Sequence, residues 1–114
     1  MSGNWGRVLK VDLTAAEFED RPIEESAYRR FLGGSGLAAY LFLQLEGYIP
    51  DPLSPGNPLI VMNGPLSGTS LPGCSRLEIC ARSPLTGIWG EASMGGSASA
   101  ALKRTGYDGI VVLD

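Results

Sequence analysis

Apolar and polar side chains alternate along two segments of the chain, residues 7–13 and residues 76–82. In the first segment Leu9, Val11 and Leu13 share one side of the chain. A period of two is that of a half-buried strand, so both segments are predicted to be strands. Apolar runs and flanking turn residues predict further strands at residues 18–23, 59–62, 88–91 and 110–113.

Three helices are predicted between these strands. Residues 24–32 start with acidic side chains and end with basic ones, which complements a helix dipole. Ser35 is placed to cap a second helix, residues 36–46, which is apolar on nearly every side. Small residues at 97–105, followed by Gly106, predict the third. Because helices and strands do not alternate regularly, we predict an α+β fold, a mixed sheet with short helices.

Length and composition limit what this domain can be. With 114 residues, 44% of them hydrophobic, the chain can form one small folded domain. Nine basic and twelve acidic residues give a net charge of −3, which argues against a nucleic-acid partner. The longest hydrophobic stretch, residues 36–45, is too short to span a membrane, and the N-terminus lacks the apolar core of a signal peptide. We therefore expect neither nucleic acid nor membrane as a partner.

Charged residues are nearly absent from residues 31–75, which contain no Lys or Arg and only Glu46 and Asp51 as acids. Such a stretch is most simply buried, as the core helix and strand of the domain. A domain of this length has a limited interior, however, so part of the stretch is also a candidate surface against another domain. The sequence leaves both interpretations open.

Several kinds of catalytic site are excluded by the residue types present. The chain has no histidine, so it cannot form a Ser-His-Asp or Cys-His nucleophile or a histidine-ligated metal site. Its cysteines, Cys74 and Cys80, are too few for a four-cysteine metal site. Each is expected to be a small buried side chain.

Two features are candidates for binding an anion such as phosphate. Residues 90–97 are rich in glycine and precede the third helix, whose first amides and dipole attract anions. Tight packing alone would also explain these glycines. Arg76 follows the uncharged stretch and suits bidentate recognition of phosphate or carboxylate. The alternative for Arg76 is a salt bridge to an acid such as Glu78 or Glu91.

Six phrases in the sequence, taken in order, resemble the N-terminal domain of the aldehyde ferredoxin oxidoreductases, the tungsten-pterin enzymes. Together they extend over essentially the whole chain. They are GNWGRVLKVDLT at 3–14, FLGGSGLAAY at 31–40, DPLSPGN at 51–57, GPLSGTS at 64–70, RSPLTG at 82–87 and TGYDGIVV at 105–112.

This resemblance implies a function for a longer protein. Residues 1–114 would form the N-terminal pterin-cofactor-binding domain, a fragment of a multidomain cytoplasmic enzyme and inactive alone. The family oxidises aldehydes to carboxylic acids and passes the electrons to ferredoxin. Its tungsten or molybdenum is held by two pterins, Mg bridges the pterin phosphates, and a [4Fe-4S] cluster would come from residues outside this chain. Downstream domains of the same enzyme, and a second subunit in a homodimer, are further expected partners.

The resemblance also assigns roles to three residues by position. Arg76 matches an arginine that contacts the cofactor, and Ser93 and Gly95 match the loop that holds the cofactor through its backbone. The backbone carbonyl of Ser93 is expected to contact Mg, although asparagine is the familiar residue there. The competing hypothesis is a freestanding, non-catalytic module that binds an anion or a partner protein. A relative acting on another substrate class, such as an acyl thioester, also remains open.

Overall fold

The computed structural model describes residues 3–45 and 51–114. Within them lie six strands and three helices, as the sequence predicts. The elements are β1 (Arg7–Asp12), β2 (Glu17–Pro22), α1 (Glu25–Phe31), α2 (Gly34–Leu45), β3 (Leu59–Asn63), β4 (Leu77–Arg82), β5 (Trp89–Met94), α3 (Ala98–Arg104) and β6 (Gly109–Leu113). None of the helices described is long and apolar enough to cross a membrane.

All six strands belong to one sheet, in the order β2-β1-β6-β3-β4-β5. The β1–β6 pair is parallel and the other four pairs are antiparallel, so the mixed sheet and the α+β class are confirmed. The last strand in sequence, β6, lies in the middle and joins the β1–β2 hairpin to the β3-β4-β5 meander. The short turn between β1 and β2 is stabilised by the Asp12 carboxylate, which accepts a hydrogen bond from the Ala15 amide at 3.0 Å.

One face of the sheet forms the core with α1 and α2. On this face Val8, Ile60, Met62 and Val111 are fully buried. They pack with Cys80 and with apolar residues of the two helices, namely Ala27, Tyr28, Leu37, Ala38 and Leu41. Because α2 is apolar, it covers the centre of the sheet. Part of the uncharged stretch is therefore core.

The opposite face of the sheet is apolar but is not enclosed by the described part of the chain. We call it the open face and define it by six partly exposed residues of β1, β6, β3 and β4: Leu9, Val11, Ile110, Val112, Val61 and Ile79. α3 lies at one end of this face, where the Asn63 amide donates a hydrogen bond to the Ser99 carbonyl at 3.1 Å. Both faces of the sheet are therefore apolar, but only the face against α1 and α2 is enclosed by the described part of the chain.

Three details of the sequence prediction are wrong. Cys74 is partly exposed rather than buried, whereas Cys80 is buried as predicted. In β1 the apolar side with Leu9 and Val11 is the partly exposed one, whereas Val8, on the polar side, is fully buried. The reason is that α1 and α2 cover the side that carries Val8. Ser35 is not a cap, because α2 already begins at Gly34. The predicted end of this helix at residue 46 lies outside the described residues.

Because the Cys80 thiol is buried, we expect the free energy of unfolding to depend on pH. Its side chain is 1% exposed, and burial, with smaller contributions from Glu91 and Glu78, raises the pKa of the thiol to about 11. The unfolded thiol ionises near pH 8.5–9, so the unfolded state loses its proton first as the pH rises. We expect stability to fall between about pH 9 and 11, by roughly 2 kcal/mol from this group.

Urea unfolding at pH 8, 9 and 10 tests this expectation. Cys80→Ala should flatten the decline in the free energy of unfolding over this range, although the variant is less stable at pH 8 because it leaves a small cavity. Cys74→Ala, at the other, partly exposed cysteine, is the matched control and should keep the wild-type slope. An unchanged slope in Cys80→Ala would contradict the expectation.

Candidate functional site

The β4–β5 pair brings together the three residues that the sequence analysis selected. Glu78 is opposite Ser93 in this antiparallel pair, so Arg76 and Gly95 lie at the same end of the two strands. Nη1 of Arg76 donates a hydrogen bond to the hydroxyl oxygen of Ser93 over 3.3 Å. A Cβ atom on Gly95 would lie 3.9 Å from the guanidinium carbon of Arg76, so this glycine leaves one side of the guanidinium uncovered.

The backbone of Arg76 is fixed by buried hydroxyl groups. Its carbonyl oxygen accepts hydrogen bonds from the hydroxyls of Ser67, at 3.3 Å, and Ser99, at 3.2 Å. The single proton of the Ser99 hydroxyl lies between this carbonyl and the side-chain oxygen of Asn63, which is 2.9 Å from the hydroxyl oxygen. All three supporting residues are at most 4% exposed. The prediction that Arg76 belongs to the strand is wrong, because β4 begins at Leu77, and this network instead holds the backbone from which its side chain extends.

The guanidinium of Arg76 is exposed and has no carboxylate partner among the described residues. The ion pairs among the described residues join Arg7 to Asp20, Arg29 to Glu25 and Lys103 to Asp108. The alternative of a salt bridge from Arg76 to Glu78 or Glu91 is therefore not what the structure shows. An arginine with outward donors and no acidic partner is suited to bind an anionic group.

An apolar cleft of about 240 Å³ adjoins Arg76. It is lined by Gly64, Pro65, Leu66, Ser67, Cys74 and Arg76. The lining of this cleft is almost entirely apolar, and the exposed Arg76 lies at it. This combination suits a ligand that has an anionic group next to a less polar body.

The glycine-rich tract is built differently from its prediction. Residues Trp89–Met94 form β5, three residues longer than expected at its C-terminal end, and α3 begins only at Ala98. Ser97 makes no side-chain cap, and α3 has only seven residues. The tract is thus an edge strand followed by Gly95 and Gly96. The case for Gly95 rests on its position against Arg76 and not on the end of a helix.

Ser93 lies on this exposed edge strand, next to Arg76. Within residues 3–45 and 51–114, no group of three or more His, Cys, Asp and Glu side chains could hold a metal ion. Glu78 is opposite Ser93, so a carboxylate lies near the serine hydroxyl and the glycine backbone at this end of the β4–β5 pair.

A second polar cluster, centred on Asp108, is buried in the domain. Asp108 is 1% exposed, and its carboxylate accepts hydrogen bonds from the Trp5 and Gly6 amides, each at 2.9 Å. The Tyr28 hydroxyl donates to the same carboxylate at 2.5 Å. Burial, followed by the hydrogen bond to Asp108, raises the pKa of the Tyr28 hydroxyl. The phenol is thus a permanent donor.

Lys103 links this cluster to the loop that supports Arg76. Its ammonium lies 3.4 Å from the Asp108 carboxylate and donates to the Gly64 carbonyl at 2.9 Å. Burial lowers the pKa of Lys103, and the charge of Asp108 acts in the opposite direction. The cluster therefore joins the N-terminal segment, α1 and the loop that begins at Gly64. Its groups satisfy one another, and its role is structural.

Arg76, Ser93 and Gly95 could be selected from the sequence, whereas the residues that support Arg76 could not. Asn63, Ser67 and Ser99 are ordinary polar residues whose partners lie 9 to 36 residues away in the sequence. Their only visible signal is that they lie in otherwise apolar or small-residue segments, which is too weak to select them.

The chain is similar over almost its whole length to proteins of one family. A family model described as "Aldehyde ferredoxin oxidoreductase, N-terminal domain" matches residues 8–114. The tungsten-containing aldehyde ferredoxin oxidoreductase of Pyrococcus furiosus is 45% identical over 112 residues, and that of Thermococcus kodakarensis is 44% identical. Each match covers 98% of this chain and 18% of the relative, so the chain spans less than a fifth of the length of these relatives.

Two further relatives have other names. An aliphatic sulfonate oxidoreductase, WOR-like subunit, of Pyrococcus furiosus is 33% identical over 111 residues, covering 94% of this chain and 17% of the relative. A solved structure, the active site complex BamBC of benzoyl coenzyme A reductase with 1,5-dienoyl-CoA, has a TM-score of 0.91 and 34% identity. That match covers 98% of this chain and 17% of the other.

Proposed function

Because the chain belongs to the aldehyde ferredoxin oxidoreductase family, as its N-terminal domain, we propose that it binds the phosphate end of a tungsten- or molybdenum-pterin cofactor. The full enzyme, in this proposal, oxidises aldehydes to carboxylic acids with ferredoxin as electron acceptor. Residues 1–114 are its pterin-binding domain and a fragment that is inactive alone. The observation that carries the proposal is the exposed guanidinium of Arg76, held next to Ser93 and Gly95 without an acidic partner in residues 3–45 and 51–114.

The residues at the site fit the phosphate end of such a cofactor. Arg76 supplies a planar, permanently charged fork, which matches phosphate oxygens. Gly95 leaves the guanidinium open on one side, and the cleft beside it is mostly apolar. When bound, the metal and its pterins would supply the redox chemistry, in which an aldehyde and water give a carboxylic acid, two electrons and two protons.

The chain's own residues have binding and positioning roles in this proposal. Arg76 binds a pterin phosphate, and the buried hydroxyls of Ser67 and Ser99 keep its backbone in place. Ser93 orients the guanidinium through its hydroxyl and offers its backbone carbonyl to Mg. Since a carbonyl contact does not depend on the side chain, serine can replace asparagine at this position.

The remaining parts of the catalytic unit are assigned to the rest of the enzyme. We propose that a [4Fe-4S] cluster, the aldehyde pocket and the ferredoxin contact come from other domains of the longer chain. Homodimerisation and a cytoplasmic location stay predictions of the family resemblance. The freestanding anion-binding or protein-interaction module is less favoured, because the family match extends over residues 8–114.

Replacing Arg76 in the full-length enzyme tests the cofactor role. A charge-assisted hydrogen bond is worth about 1.5–3 kcal/mol, so Arg76→Ala should weaken cofactor binding by about 10- to 150-fold. The measurement is the tungsten, molybdenum and pterin content of the purified protein after dilution or mild chelation. Arg104→Ala, which removes an exposed arginine of α3, is the matched control and should keep wild-type content.

Arg76→Lys separates charge from geometry, because lysine keeps the charge and loses the planar fork. Its cofactor content should lie between those of Arg76→Ala and the wild type. Wild-type metal and pterin content in a correctly folded Arg76→Ala enzyme would refute the role of Arg76.

A second substrate class is tested in the same enzyme preparation. The relatives include an aliphatic sulfonate oxidoreductase and a benzoyl coenzyme A reductase complex, so the family model does not fix the substrate. The higher identity to the aldehyde enzymes, 45% against 33% and 34%, favours an aldehyde. Ferredoxin reduction with simple aldehydes supports the proposal. Turnover of an aliphatic sulfonate or a benzoyl thioester without aldehyde turnover would replace it.

A further inference from the structure

The open face of the sheet has the composition of a protein interior although water reaches it. Its six defining residues are all aliphatic and lie on four adjacent strands, and each is partly exposed. On the other face of the same strands, Val8, Ile60, Met62 and Val111 are 0% exposed. The two faces have similar side chains, and they differ because helices cover only one of them.

A sheet that faces water on one side normally carries polar residues there, alternating with the apolar residues of the core side. The central strand β6 instead has valine or isoleucine at Ile110, Val111 and Val112, on both faces. Strands with apolar residues on both faces are typical of sheets that are covered on both faces. A contiguous exposed apolar patch of this kind marks an interaction surface.

The two edges of the sheet indicate how far the cover extends. Edge strand β2 has four charged residues and ends in Pro22, features that block further pairing. Edge strand β5 has a single charge, at Glu91, and its Ala92 and Met94 continue the open face to the edge. Met94 is 40% exposed. The apolar surface therefore continues over β5, and on β2 it extends to the exposed Phe18, which is opposite Val11 and has charged neighbours along its strand.

We propose that the open face is an internal interface of the full enzyme, covered by another part of the same polypeptide. This inference rests on the proposed function, in which residues 1–114 are one domain of a longer chain. The relatives support a tethered occupant, because this domain corresponds to only 18% of their length. A segment on the same chain acts at an effective concentration in the millimolar range, which exceeds that of a free partner.

The position of the candidate site is compatible with this cover. Ser93 is paired with Glu78, which in turn is opposite the buried Met62, so these residues lie on the helix-covered side of the sheet. Val61 and Ile79, one residue along each strand, lie on the open face. Polypeptide on the open face therefore leaves Arg76 and Ser93 accessible to a cofactor.

The test is the reactivity of a thiol placed on the open face of the full-length enzyme. Val112→Cys changes the side-chain volume little, so it should not disturb folding. Glu19→Cys places the matched control thiol on the exposed edge strand β2. Alkylation is followed by peptide mass spectrometry, which separates these thiols from the native cysteines. The thiol of Val112→Cys should react at least tenfold more slowly than that of Glu19→Cys.

Two companion measurements separate the competing results. Equal alkylation rates in an enzyme with wild-type metal and pterin content would overturn the interface and leave the proposed function intact. Slow alkylation in an enzyme that holds no pterin would keep the interface and count against the proposed function. If alkylation at position 112 speeds up on dilution, together with dissociation of a dimer seen by light scattering, a second copy covers the face and our proposal is wrong.

Discussion

Replacing Asp108 by alanine should lower the free energy of unfolding by about 3–5 kcal/mol. The substitution leaves the Lys103 ammonium without a counter-charge in a nearly closed site, where its side chain is only 10% exposed. It also removes the acceptor of the Tyr28 hydroxyl and of the Trp5 and Gly6 amides. Removing one partner of a buried ion pair lowers the free energy of unfolding by more than the intact pair contributes to it, because the remaining charge stays desolvated.

Urea unfolding of the chain, followed by circular dichroism, measures this loss. Asp20→Ala is the control, because Asp20 forms an exposed ion pair with Arg7 at 2.7 Å. Its removal should cost no more than about 1 kcal/mol. The double variant Asp108→Leu with Lys103→Met should recover part of the stability, since no buried charge is left unpaired. A loss below about 1 kcal/mol in Asp108→Ala would contradict the buried cluster.

Gly109→Ala should lower the free energy of unfolding by about 3 kcal/mol. Gly109 begins β6 in the centre of the sheet, opposite Val8 and Met62. A Cβ atom there would overlap the Val61 carbonyl oxygen and lie 2.9 Å from the Met62 sulfur. Since the carbonyl belongs to a paired strand, it cannot move aside without breaking the β3–β6 ladder.

Gly64→Ala provides the matched control for this substitution. A Cβ atom on Gly64 meets nothing within 4 Å, so the change in stability should stay within about 1 kcal/mol and can be favourable. Thermal unfolding resolves the two variants, because 3 kcal/mol corresponds to a fall in melting temperature of about 10 °C or more. Equal melting temperatures for Gly109→Ala and Gly64→Ala would show that β6 does not approach β3 this closely.

The order and type of the elements could be predicted from local pattern, whereas the side that becomes core could not. Alternation in β1 is visible in the sequence, yet it does not tell whether the Val8 side or the Leu9 side will be covered. That choice depends on where α1 and α2 pack, which is decided by contacts remote in sequence. Composition fails as a guide here, because both faces of β6 are apolar.

Some features of the candidate site could likewise be predicted from the sequence, and others could not. Arg76 could be selected because it follows a stretch without basic residues, and the family resemblance added Ser93 and Gly95. The local structure of the glycine-rich tract could not be predicted, because pairing with β4 extends β5 to Met94 where composition alone favoured a helix start. Ser99 reaches Arg76 across 23 residues, and no periodic pattern carries such a contact.

The place of β6 in the sheet has a consequence for folding during synthesis. The β1–β2 hairpin and the β3-β4-β5 meander do not pair with each other, and only β6 joins them. A two-stranded hairpin is marginal alone, so the sheet is completed only after residue 113 has left the ribosome. Closing the β1–β6 pair spans about a hundred residues, which favours slow folding. Until then β3 lacks its neighbour β6, so under the proposed function we expect a cofactor to bind at Arg76 only after the sheet is complete.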